Sequence, residues 1–180
     1  TILHELWARR EEILSKLYAR QPQTFGHLDG HRLNLFSRPM AIADKDPTTV
    51  AIDWAFCGIG PLGADLKVLV MHSVGFFAVD VCHVAELDSL SFEGYIQGLH
   101  DTSWDGDMRH IRYSYTMMIA MTIARLFPLL CVLHTDEAKH NVLEQMTGRT
   151  IEENIEMNGQ LWPFMMGLAS EGLALDGQIY

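Results

Sequence analysis

Positive charge is what this sequence has little of. Its 13 Lys and Arg stand against 23 Asp and Glu, for a formal net charge of -10 and a pI near 5.2. Nucleic-acid binding rests on clustered cations facing phosphates, so a general nucleic-acid binder is not expected. Cysteine is scarce as well: three residues, at 57, 82 and 131, none in a C-x-x-C pair. Such a set supports neither a zinc site nor a disulfide framework, and it fits a reducing, cytoplasmic setting. The absence of G-x-S-x-G removes the usual signature of a serine nucleophile. Internal repeats, low-complexity tracts and linkers are absent too. At Thr1 the chain opens directly on a helical pattern, without an initiator Met or a signal-like apolar core. A processed protein or a piece of a longer chain would account for that start.

What is present suits one globular domain. The 180 residues are 48% apolar and 20% charged, enough for a real core. Ile2, Leu3, Leu6, Ile13, Leu14, Leu17 and Tyr18 recur at helical spacing and predict an amphipathic helix over 2–19. Gln21-Pro22-Gln23-Thr24 ends it, because Pro disfavours the helical conformation in the residue before it. Leu33 and Leu35, then Val50 and Ile52, alternate as in short strands. The polar insert Arg38 to Thr49 separates them, so a hairpin would bring Asn34 and Asp53 to one end.

Further on, Gly58, Gly60 and Gly63 with Pro61 predict a turn that opens a helix near Leu62. The run has the form G-x-G-x-x-G, but no acidic residue closes a second strand at the spacing a dinucleotide site needs. Asp65 is assigned a capping role in that helix's first turn. Phe92, Tyr95, Ile96 and Leu99 predict a helix over 89–101, and Asp101 to Asp107 an acidic loop with an exposed Trp104. The apolar run from Tyr113 to Leu133 approaches membrane-spanning length, but Arg125 and Pro128 interrupt it and one side has no basic flank. A buried core helix is the preferred reading, with no membrane. Thr135-Asp136-Glu137 starts a helix closed by Gly148. Thr150 to Glu153 forms a capping box for a last helix, kinked at Pro163 and running toward Leu173. The sum is a mainly α fold with a small β-hairpin.

The hairpin carries the chemistry. His27-Leu28-Asp29-Gly30-His31-Arg32-Leu33-Asn34 has the spacing H-x-D-x-x-x-x-N, and Ile52-Asp53-Trp54 follows. Phosphoryl transfer needs an aligned hydroxyl nucleophile and counter-charge for the phosphates. Asp29 would take the hydroxyl proton and His27 would brace the loop. Asn34 and Asp53 would offer hard oxygen ligands to magnesium, which bridges the nucleotide phosphates. A competing reading takes His27, Asp29 and His31 as an H-x-D-x-H metal cluster of a hydrolase. It leaves Asn34 and Asp53 unused.

The segments Pro22 to Phe36, Ala51 to Trp54 and Gly58 to Leu66 resemble the aminoglycoside phosphotransferase and choline kinase-like family of small-molecule kinases. The resemblance implies the helical C-terminal lobe of the protein-kinase-like fold, with Mg2+ and ATP as cofactors (GTP left open). It implies a small-molecule hydroxyl substrate; the acidic loop Asp101, Asp105 and Asp107 with Trp104 is read first as a solvated loop, with a site for a cationic substrate as the second reading. It also makes Asp29 the catalytic base, His27 the motif histidine, Asn34 and Asp53 the metal- and cofactor-binding pair, and Asp65 a structural acid. Residues 1–180 would be one domain, with the catalytic loop and hairpin over about 24–60 and a helical subdomain over about 61–175. Two departures stand out. Leu28 replaces the family's usual Gly, which narrows the backbone freedom of the loop. The family's glycine-rich nucleotide loop and phosphate-pairing strand Lys have no candidates ahead of the motif, since Lys16 and Lys45 fall in a helix and an insert, so the nucleotide-clasping lobe is expected outside this chain. A non-catalytic kinase-like binding module is the alternative from another class.

Overall fold

The computed structural model describes residues 1–38 and 48–180. Helices α1 (Ile2–Ala8) and α2 (Arg10–Ala19) replace the single helix expected over 2–19. Arg9 leaves the helical conformation there, and its guanidinium reaches Glu5, Glu12 and, across the molecule, Asp176. The apolar face is nevertheless shared, and Leu6, Ile13 and Leu17 are all buried.

Two antiparallel pairs follow. Strand β1 (Gln23–Gly26) pairs with β4 (Gly58–Pro61), and β2 (Leu35–Arg38) pairs with β3 (Thr48–Ala51). The second pair is the expected hairpin; its connecting residues 39–47, with most of the polar insert and Lys45, lie outside the described residues. The first pair corrects two expectations. Thr24 lies in a strand, not in a loop. Gly58–Pro61 likewise forms a strand, and the helix opens later, as α3 (Ala64–Gly75). Short, Gly-rich segments give little period-2 signal, so tertiary pairing decides them.

Helix α4 (Val84–Asp101) starts earlier than expected, directly after a 3-10 turn at Val81–His83. Helix α5 (Met108–Thr135) is capped by Asp107, whose side chain accepts from the Arg109 backbone N–H. Its first half is the centre of the molecule, with Tyr113, Tyr115, Met117, Ile119 and Ala120 fully buried. The second half departs from the expected buried helix, since Phe127, Leu129 and Val132 are exposed. By length and composition alone α5 could cross a membrane; Arg112, inside it, is ion-paired to Asp88 and Glu171. Helix α6 (Glu137–Thr147) is capped by Asp136 and closed by Gly148 in the left-handed conformation. The Thr150 capping box opens α7, a single helix over Ile151–Ile179 that contains Pro163. Trp104 is half-buried, packing beside Leu62, Ile96 and Ile111 instead of standing free in its loop. Mainly α with small antiparallel β pairs is the fold observed.

Candidate active site at the His27–Asn34 loop

β1 delivers the chain into the loop and β2 takes it out, so the motif spans the space between the two strand pairs. His27 is buried. Its Nε2 lies 2.8 Å from the Ile52 carbonyl, which can only accept, so this nitrogen carries the proton. The other ring nitrogen, Nδ1, accepts from the Asp29 backbone N–H at 3.3 Å. One imidazole thereby ties the loop to the end of β3, with the Trp54 ring 4.6 Å away. The ring braces the loop through these two hydrogen bonds. That pairing also corrects the H-x-D-x-H reading: both His27 nitrogens are spent on backbone groups. Among the described residues, no three His, Cys, Asp or Glu side chains gather as metal ligands.

Asn34 is buried and directed by its own amide. Its Nδ2 donates to the Asp29 carbonyl at 3.0 Å and to the Asp29 carboxylate at 3.2 Å. The side chain of Asp29 is 30% exposed, with His31 Nε2 3.7 Å from its carboxylate. Asn34 Oδ1 meets no donor among the described residues and remains an available ligand oxygen. The Asn34 carbonyl accepts from Ile52 N–H at 3.0 Å, extending the Leu35–Ala51 register by one step. Asp53 therefore sits at the same end of the hairpin as Asn34. It is exposed and in the left-handed conformation, with φ 59° and ψ 63°. Asx residues tolerate that region better than most. Two hard oxygen ligands at one strand end, one fixed through its own N–H groups, fit a magnesium ion.

Asp65 does something the capping assignment missed. Its carboxylate accepts from the His27 backbone N–H at 3.0 Å and from the Leu28 N–H at 2.5 Å. The position before α3 is occupied by Gly63 at φ 95°, with no side-chain cap. Asp65 thus fixes the backbone of the loop just ahead of Asp29. A Cβ on Gly26 would lie 2.6 Å from Asp65 Oδ2, which is why the residue entering the loop is glycine. That glycine was the available sequence signal for this contact. Leu28, the departure from the resemblance, takes φ 58° all the same. Both hydrogen bonds to Asp65 hold it in a conformation that Gly would reach without cost.

Behind the loop, His31 stacks on His72 of α3 at 4.2 Å, and Phe76 lies tilted against His72 at 4.6 Å. Burial first, then the nearby His31 and Arg32, pushes the His72 imidazole below its ordinary range, with Asp29 opposing. No sequence period announced this stack. The acidic loop is not gathered at the motif by any contact observed; Asp107 is engaged by Arg109 and by its capping role.

The phosphotransferase enzyme family model matches residues 2–100, more than half of the chain, so the chain belongs to that family. The match takes in the His27–Asn34 loop, both strand pairs and α3, and it ends within α4. The chain is therefore a kinase-like protein of the phosphotransferase class. No curated protein and no solved structure matches it.

Proposed function

We propose that the protein transfers the terminal phosphoryl group of ATP to a hydroxyl of a small molecule. In this reading the chain is the helical lobe that carries the base and the metal ligands. The observation that supports it most is the Asn34 amide, whose Nδ2 holds the Asp29 carboxylate from one side while its oxygen meets no donor among the described residues. Asp29 is half-exposed and so within reach of a substrate, and it would accept the proton of the attacking hydroxyl. The bond from that oxygen to the γ-phosphorus forms as the bond to the leaving ADP oxygen breaks. The task of the chain is alignment and proton acceptance, which is most of what this reaction asks of a protein. Asn34 Oδ1 and the Asp53 carboxylate would hold Mg2+, which when bound offsets charge on the nucleotide phosphates. His27 and Asp65 position the loop without touching substrate. Three free, exposed cysteines are compatible with a cytoplasmic setting.

The test is Asp29→Asn in the full-length protein. General base catalysis contributes about 10²–10⁴-fold, so kcat should fall by that range while the thermal midpoint and magnesium-dependent nucleotide binding persist. Unchanged turnover would remove Asp29 from the role of base. A wild-type protein that binds no nucleotide with magnesium would instead point to the non-catalytic module.

A further inference from the structure

A second concave site lies away from the loop, where α1 and α2 meet α3 and α5. This groove of about 400 Å³ is walled by Trp7, Leu14 and Tyr18 on one side and by Met118, Met121 and Thr122 on the other. Its size falls within the range of small-molecule sites. Trp7, Leu14 and Tyr18 are each at least 42% exposed, a run of large apolar side chains that the fold leaves uncovered.

The charge there runs against the rest of the molecule. In a chain of net charge -10, Arg10, Lys67 and Arg125 all line this groove. Arg10 is held over the Trp7 ring at 5.1 Å, bonds the Trp7 carbonyl and pairs weakly with Glu11. Lys67 and Arg125 have no carboxylate at ion-pair distance among the described residues. Burial, and next the charge of Arg125, pushes the Lys67 ammonium below its usual range. Lys67 is half-buried and Arg125 is exposed, so two like charges share one apolar groove, a standing cost for Lys67 that a bound anion would relieve. The partly buried cations Arg112 and Lys16, by contrast, are matched: Arg112 has two carboxylates and Lys16 has Glu12 and Asp176.

We propose that this groove binds an amphiphilic organic anion. Its carboxylate or phosphate would lie on Lys67 and Arg125, and its apolar body along Trp7, Leu14, Tyr18 and Met121. The site is independent of the phosphoryl-transfer reading. Asp65 and Lys67 are two residues apart on α3, about 200° around the helix at ~100° per residue. One side of the helix therefore holds the catalytic loop and the other side serves the groove.

Isothermal titration calorimetry of the full-length protein with octanoate and octyl phosphate tests this, with octylamine and octanol as controls. Saturable 1:1 binding of an anion is expected, with the controls roughly tenfold weaker or more. Lys67→Met and Arg125→Met should each weaken anion binding by a similar factor. Because Lys67 is unpaired and desolvated, Lys67→Met should also raise the thermal midpoint in the absence of ligand. A merely structural lysine would not do that. Binding of only one of the two anions supports the proposal and names the headgroup. Equal binding of octylamine or octanol, full anion affinity in both variants, or no anion binding at all would overturn it.

Discussion

Leu28 shows how one side chain can occupy a glycine position. A non-glycine residue in the left-handed region costs about 1–2 kcal/mol, and here the hydrogen bonds donated by the His27 and Leu28 N–H groups to Asp65 hold it there. The Leu28 side chain lies across the strand glycines: a Cβ on Gly60 would meet its Cδ2 at 3.0 Å, and one on Gly26 at 3.2 Å. Those glycines leave space that the leucine fills. Leu28→Gly thus exchanges backbone relief for lost packing, and the two are of similar size. The expected change in unfolding free energy is below about 1 kcal/mol. Leu28→Val keeps an apolar side chain but puts a branched Cβ at positive φ, and should cost roughly 1–3 kcal/mol. Urea titration of the two variants distinguishes these outcomes. Equal destabilisation by both would mean that the leucine's packing, not its backbone, dominates.

At the level of elements, α5 and α7 approach closely at Gly172, where a Cβ would lie 3.2 Å from Thr116 Oγ1 and 3.3 Å from the Met117 backbone N. Gly167, on the same helix, is exposed and meets nothing within 4 Å. Gly172→Val should therefore destabilise by about 1–3 kcal/mol through overpacking. Gly167→Ala should stabilise by roughly 0.5–1 kcal/mol through helix propensity. Thermal melts of the pair read both signs. The sequence was legible where periodicity is strong. The hairpin ends at Asn34 and Asp53, the Thr150 capping box and the Gly148 terminus all follow from local chemistry that tertiary contacts reinforce. It was illegible where partners are distant. The break at Arg9 depends on Asp176, the β1–β4 pair on two glycine-rich segments meeting across the chain, and Asp65 on backbone amides of residues far earlier. Asp65 has the residue type of a capping acid, and only the position of the loop diverts it. The C-terminal half of α5 reads as core from composition, yet Phe127, Leu129 and Val132 on it are exposed.

For the whole molecule, two polar clusters bind the helices together. Arg112 of α5 joins Asp88 of α4 to Glu171 of α7, and the Tyr115 hydroxyl donates to Asp88 at 2.7 Å. Asp176 of α7 accepts from Lys16 at 2.9 Å, from Arg9 and from the Tyr113 hydroxyl at 3.0 Å. Burial alone would raise the Asp176 carboxyl, but the bonds from Lys16, Arg9 and Tyr113 outweigh it and hold it below the usual carboxylate range. A depressed folded-state value means stabilisation fully present above the unfolded value, about 3.9, and lost as pH falls through the folded one. Unfolding free energy should accordingly drop on acidification below about pH 4. Asp176→Asn should be roughly 3–5 kcal/mol less stable at pH 7 and lose less between pH 7 and pH 3. Parallel pH profiles for variant and wild type would assign the acid sensitivity elsewhere. The Asp65 carboxylate has a consequence in time as well as in space. The two amides it holds belong to residues synthesised long before it, so the His27–Asn34 loop cannot take its final shape on the ribosome until α3 has emerged and docked. Long-range contacts of this kind form late in folding. Asp65→Asn is thus expected to accelerate unfolding while leaving the refolding rate nearly unchanged in a stopped-flow chevron. A slowed refolding arm would place the loop in the folding nucleus.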